Sequence, residues 1–250
     1  MLEPIADRYS ATIMRILKDV MHHEGASVHG AGQIIAQSIG DGGILHVFGA
    51  GHSQLLAGDV TYRAGGLPWV NGLLDPALSI QRGGSASSRA EKIPELADSI
   101  FAQIEPKAND VTVIICNSGV TPVSVRWAEL CKEHGLGVIS IVSFASMEYF
   151  SQAADQTLEE YSDLLVSNHC PLGDAGVVMQ NEGENLVNQF GPTSSVIGSF
   201  LVHWLIMSTV DELAKQGKEV SAFRSGHLQG AAHYNQKLAD PYRHRITVYR

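Results

Sequence analysis

Ile44-Leu45-His46-Val47-Phe48-Gly49-Ala50-Gly51-His52-Ser53 is an apolar run that stops abruptly at a turn of small residues carrying a hydroxyl. Residues 54–63, which follow at once, are compatible with a helix. A parallel strand feeding a glycine turn and then a helix leaves backbone N–H groups unpaired where the helix begins. The helix dipole adds partial positive charge at the same place. Gly49, Gly51, His52 and Ser53 therefore make a candidate anion site, suited to a phosphate or to a small polyol that bears one.

The signal recurs. Val111-Thr112-Val113-Ile114-Ile115-Cys116 is a second continuously apolar, β-branched run, as expected of a strand buried on both faces. It ends in Asn117-Ser118-Gly119-Val120-Thr121-Pro122, and residues 123–134 then read as a helix with Pro122 at its first position. This unit adds Asn117, Ser118, Gly119 and Thr121 as candidate binding residues. A third cluster, Gly191-Pro192-Thr193-Ser194-Ser195, opens an apolar helix over residues 196–215 and adds Thr193, Ser194 and Ser195. Ser, Thr and Asn are also the ordinary helix caps. Two such clusters directly after buried strands, and a third in the same chain, favour a ligand site over capping alone.

Outward from these units the chain alternates strands and helices. Residues 4–23 are amphipathic, a second helix spans 28–40, and Asp41-Gly42-Gly43 stops it before the strand at Ile44. Short strands are expected at 68–71, 138–142 and 163–166, and a helix at 90–103. The Gly- and Ser-rich stretch 81–89 reads as a loop, either a lid over a ligand or a tolerated surface loop. Alternation of this kind implies right-handed crossovers and a parallel sheet covered on both faces. The expected architecture is an α/β three-layer sandwich around a central parallel five-stranded sheet. Residues 1–40 form an N-terminal helical extension packed on a core of residues 41–250, with no linker long enough to divide the chain.

Composition narrows the function. Of 250 residues, 44% are hydrophobic and only 17% charged, ample apolar material for one large core. Apolar runs such as 196–206 are short and interrupted by His203, which argues against a membrane partner. The N-terminus lacks a basic start and an apolar signal core, so the expected location is cytoplasmic. Three cysteines, Cys116, Cys131 and Cys170, read as reduced thiols rather than a disulfide framework. The net charge of −9 and the lack of a Lys/Arg stripe argue against a nucleic-acid partner. Phosphate can still be held by amides and hydroxyls, with Arg63, Arg82 or Arg89 adding local charge.

The ordered set of motifs resembles the sugar isomerase (SIS) domain family, and within it the group labelled phosphoheptose isomerases. The matching pieces are Phe48-Gly49-Ala50-Gly51-His52-Ser53, Tyr62-Arg63-Ala64-Gly65-Gly66-Leu67, Asn117-Ser118-Gly119, Asn168-His169-Cys170-Pro171-Leu172-Gly173-Asp174-Ala175, Gly191-Pro192-Thr193-Ser194-Ser195 and Asn235. They keep their order from about residue 34 to residue 245. The resemblance implies an SIS-type, flavodoxin- or Rossmann-like fold and a small-molecule phosphosugar ligand held at the Ser/Thr-rich turns, Arg63 included. Two places depart from the family pattern. Gly58 and Asp59 stand where relatives commonly carry Glu, and Ala231, Ala232 and His233 stand where relatives often show an acidic pair.

Aldose–ketose isomerisation through an enediol needs a base that moves a proton between neighbouring carbons and a second group that shuttles protons between the oxygens. Glu182 and Glu184, in a polar turn upstream of the third cluster, are the candidate carboxylates. His52 and His233 are the candidate imidazoles; the resemblance implies that a His from a neighbouring subunit completes the site in several SIS isomerases. His203, within an apolar helix, reads as a packed, hydrogen-bonded core histidine. No zinc-like ligand spacing occurs among the 11 histidines, so neither a metal nor another cofactor is expected. The leading function is a sugar-phosphate isomerase. The alternatives are a noncatalytic phosphosugar sensor and an amino-sugar-phosphate lyase (etherase). Surplus apolar helix surface predicts a homo-oligomer, a dimer or tetramer, with the site near the subunit interface.

Overall fold

The structure, a computed structural model, describes residues 4–180 and 187–249. Two N-terminal helices, α1 (Ile5–His23) and α2 (Gly25–Gly40), lead into β1 (Leu45–Gly49), α3 (His52–Asp59) and β2 (Val70–Gly72). Next come α4 (Gly84–Ala90), α5 (Glu95–Ile104), β3 (Val111–Ile115), α6 (Pro122–Glu133), β4 (Gly137–Val142), α7 (Phe144–Ser151) and β5 (Leu164–Ser167). A hairpin of β6 (Ala175–Gln180) and β7 (Val187–Pro192), the long α8 (Ser194–Lys215) and α9 (Ala231–Ala239) complete the order.

Strands β1 to β5 form one parallel sheet in the order β2-β1-β3-β4-β5, with Leu45 opposite Val111 and Val111 opposite Gly137. This is the doubly wound order of flavodoxin-like sheets. The chain winds left from β1 to β2 and then right to β3, so the crevice outside the C-terminal ends of β1 and β3 is where such sheets take ligands.

Period-two alternation sends each strand's side chains to opposite faces. Leu45, Val47, Val111, Val113, Ile115, Ile139 and Ile141 join α1, α2, α3 and α8 in one core. Phe48, Ile114, Val138 and Val142 join α5 and α6 in the other, where Phe48 stacks on Trp127 with ring centroids 4.6 Å apart. Both faces are dry, which is why these strands read as continuous apolar runs. In length and composition α8 is apolar enough to cross a membrane, yet over half of its most apolar window is buried inside the protein. Ile197, Leu201 and Leu205 are core residues there.

Several local expectations are corrected. Stretch 81–89 is not a loop: a 3-10 turn, Ile80–Arg82, precedes α4, and the Ser87 hydroxyl bonds Leu78 O at 3.2 Å. The helix expected over 90–103 is broken in the 91–94 segment, because Pro94 has no N–H and opens α5 instead. The helix expected over 54–63 is α3, which starts at His52 and ends at Asp59. The β6–β7 hairpin is an element the sequence did not signal, and Glu182 and Glu184 lie outside the described residues. His203 is hydrogen-bonded as expected but does not sit in the core. It is partly exposed on α8 and bonds the Asp59 carboxylate at 2.9 Å.

Candidate functional site

The β1–α3 turn is shaped by two glycines. Gly51 has φ +59°, a conformation that strains any residue with a Cβ. A Cβ on Gly49 would stand 2.6 Å from the Ser53 backbone carbonyl, so the strand end lies directly against α3. Ala50 O accepts from Ser53 N, and Leu78 O accepts from Gly51 N at 2.9 Å. No side chain caps α3. His52 is exposed and Ser53 half-buried, and neither side chain is hydrogen-bonded among the described residues.

At the β3–α6 turn, Gly119 has φ +69°, and a Cβ there would collide with Met147 at 2.6 Å. The Ser118 and Thr121 hydroxyls face each other at 3.1 Å, beside the Cys116 thiol. Asn117 projects from the same turn and accepts from Asn168 Nδ2 at 2.8 Å. Asn168 in turn accepts from Cys170 N at 2.9 Å. Two amides from the ends of β3 and β5 are thereby fixed side by side.

The start of α8 is already occupied. Asp174, at φ +65°, turns its carboxylate onto the helix N-terminus. It accepts from Thr193 N at 3.0 Å, Thr193 Oγ1 at 2.9 Å, Ser194 N at 2.6 Å and Ser194 Oγ at 2.7 Å. A carboxylate satisfies the orphan amides and the dipole as a phosphate would. Thr193 is fully buried beneath it. The expectation of free amides at this third cluster is therefore corrected, and Ser195 remains its available hydroxyl.

A narrow cleft of about 280 Å³, open mouth included, unites the three turns. His52, Ser53, Leu56, Ile115, Asn117, Asn168, Ser194, Ser195 and Gly198 line it. Five residues marked in the sequence thus converge: His52, Ser53, Asn117, Ser194 and Ser195. Gly49, Gly51 and Gly119 shape the turns, while Ser118 and Thr121 lie one step from the cleft and bond each other. Arg63 is elsewhere, held at the far end of α3 by Asp59. His233 is exposed on α9, and Asn235 of the same helix bonds the Arg224 backbone.

Three carboxylates that sequence reading missed stand next to the segments that supply the cleft's lining, without lining it themselves. Asp174 is one. Glu91, at the end of α4, is the second: its Oε2 would be 3.5 Å from a Cβ on Gly51, with Ser87 Oγ at 3.7 Å. Burial raises the Glu91 pKa above the usual 4.5, an effect only partly offset by Lys92 and His52. The third is Glu24, buried between α1 and α2. It accepts from Ser167 N at 3.2 Å and pairs with His169 Nε2 at 2.8 Å, and His169 stacks on His23. His169 sits at φ +53°, a strained position for a side chain of its size. No spacing signal links Glu24 to residues about 145 positions away. Among the described residues no group of three metal-ligand side chains gathers anywhere.

A family model described as the SIS domain matches residues 8–143. The UPF0309 protein ABC0887 of Shouchella clausii is 32% identical over 244 residues, covering 96% of this chain and 97% of the relative. Among solved structures, phosphoheptose isomerase GmhA from Neisseria gonorrhoeae superposes with a TM-score of 0.55 at 14% identity, covering 83% of this chain and 97% of that one. The Vibrio vulnificus NanR protein complexed with ManNAc-6P gives 0.52 at 14% identity, over 98% of this chain and 70% of that one. With a family model across more than half its length and a full-length relative above 30% identity, the chain belongs to the SIS domain family.

Proposed function

We propose that this protein is a sugar-phosphate isomerase that interconverts an aldose and a ketose through an enediol. The observation that carries the reading is the convergence of Ser53, Asn117, Asn168 and Ser195 on one cleft at the sheet's switch point, with the partly buried Glu91 carboxylate beside the first turn. Hydroxyls, amide side chains and the positive dipole end of α3 hold the phosphate and the sugar hydroxyls, since Gly51 N, Ser53 N and Gln54 N are already paired within the protein. Charge-assisted bonds of this kind contribute about 1.5–3 kcal/mol each. Glu91, as carboxylate, takes the proton from the carbon beside the carbonyl and returns it to the neighbouring carbon. His52 carries the proton between the two oxygens, so the sugar leaves with the atoms it brought. Burial raises Glu91 towards neutrality, which suits a group that must both accept and give a proton.

A homo-oligomer, a dimer or tetramer, completes the proposal. Leu55 on α3 and Val196 and Met207 on α8 are exposed on the helices that flank His52, which suits a subunit interface beside the site. Sedimentation at micromolar concentration tests this, and a monomer refutes it. Three free, buried cysteines suit a reducing, cytoplasmic setting.

The chemistry is tested by incubating the protein with a panel of aldose and ketose phosphates in deuterated water. Proton NMR should show deuterium entering beside the carbonyl and the paired sugar accumulating. Saturable binding without exchange for every sugar overturns the isomerase. That outcome would favour a phosphosugar sensor, a second reading supported by the likeness to NanR along nearly the whole chain.

A further inference from the structure

On the opposite face of the β3–α6 turn lies a larger cavity that the proposed chemistry does not use. It encloses about 720 Å³, or about 1300 Å³ with its open mouth against about 280 Å³ for the cleft, and sits between α6, the start of α5 and the segment after α7. Pro94, Val120, Pro122, Val125, Phe150 and Ala154 give it apolar walls. A volume of several hundred cubic ångströms with such walls is that of a small-molecule site.

Its charge is one-sided. The single cation in the wall, Arg126, is engaged by Asp98 at 2.6 Å, Glu129 at 2.6 Å and Glu133 at 3.6 Å. Asp155, exposed at the rim, makes no hydrogen bond or ion pair among the described residues. Three carboxylates thus pair with the one guanidinium, and a fourth, Asp155, stands unpaired at the rim. Nearby, the Tyr161 hydroxyl is held above its ordinary pKa by burial and then by Glu129, Glu160 and Glu133, the mark of the same negative field. An anion or a sugar phosphate is repelled here. A neutral apolar molecule would leave the field unanswered.

We infer that this cavity binds an organic cation: a protonated amine carried on an apolar or aromatic body. The body fills the space against Phe150, Val125 and Pro94, and the ammonium meets Asp155 and Glu129. Val120 and Pro122 belong both to this wall and to the turn that presents Asn117, so occupancy here also restrains one side of the cleft.

The test uses the full chain and three probes of similar size: phenethylammonium, the neutral 2-phenylethanol and the anionic phenylacetate. Ligand-observed NMR titrations at low salt should give the ammonium saturable binding at least about tenfold tighter than the alcohol, with the acid weakest. Asp155→Asn, at an exposed position, should abolish most of that preference. Ala154→Trp, which fills the cavity, should abolish binding of both the ammonium and the alcohol. Equal affinities for the ammonium and the alcohol overturn the inference, as does unchanged ammonium binding in Ala154→Trp. Because the readout is amine binding and not turnover, it stands or falls separately from the isomerase proposal.

Discussion

The two ends of the sheet use polar side chains in opposite ways. At the N-terminal end, His46, Asn71, Asp110 and Arg245 form a buried network under the strands in which one atom, Arg245 Nη1, is left without a partner among the described residues. Asp110 accepts from Ile44 N at 2.9 Å, from Lys107 N at 2.8 Å and from Arg245, and pairs with His46 Nε2 at 3.3 Å. Asn71 donates to the other ring nitrogen of His46 at 3.1 Å, which leaves the Nε2 proton directed at Asp110. At the C-terminal end, Ser53, Ser195 and His52 border the cleft with no side-chain partner among the described residues. Polar groups that answer one another inside the protein stabilise its fold. Polar groups left with capacity at an opening are available to something that comes from outside.

The largest effect should come from breaking the buried end. Asp110→Ala leaves Arg245 and His46 buried without their anion, and should cost about 3–5 kcal/mol in urea unfolding. Next, Glu91→Gln at the open end should lower deuterium exchange about a hundredfold or more while leaving the urea midpoint close to wild type. Because the Glu91 pKa is raised, the acid limb of the exchange rate should lie above the ordinary Glu value of 4.5 and should vanish in this variant.

Acid sharpens the contrast further. Burial pushes the Asp110 pKa up, but the bond from His46 and those from Lys107 N and Ile44 N outweigh it and hold it at about 2. A depressed carboxyl pKa stabilises the fold above its unfolded value of 3.8. That stability, about 2 kcal/mol, is lost as pH falls from 3.8 towards 2. Asp110→Asn should flatten this part of the stability profile relative to wild type. The smallest expected effect is that of Ser53→Ala. Sugar-phosphate affinity should fall about tenfold, near 1.4 kcal/mol, while unfolding stability stays within about 0.5 kcal/mol.

The sequence carried the sheet because each strand is covered on both faces and so written in continuous apolar letters, as in Val111-Thr112-Val113-Ile114-Ile115. It carried the turns because Gly51 and Gly119 are dictated locally by positive φ. It did not carry α4, whose Gly-Ser-Ala-Ser-Ser composition has weak helix preference and depends on contacts such as that of Ser87 with Leu78. Glu91 was hidden for the same reason, since only α4 brings it over the first turn. The β6–β7 hairpin was missed because it lies outside the parallel sheet and is supported by contacts of β6 with α1, far away in sequence. Arg63 looked like a phosphate ligand next to a glycine pair, but Asp59, one helical turn before it, captures its guanidinium.

Asp174 links the cleft to the very start of the chain. Tyr9 donates to Pro192 O at 2.7 Å, Arg8 to Val178 O at 2.6 Å and Thr12 to Gly176 O at 3.2 Å, so α1 grips the hairpin on both strands. The Tyr9 ring occupies the space a Cβ on Gly191 would need. Through that grip α1 holds the hairpin at Gly176 and Pro192, beside Asp174 and Thr193. The first helix is thereby tied, through the hairpin and Asp174, to the hydroxyls at the head of α8.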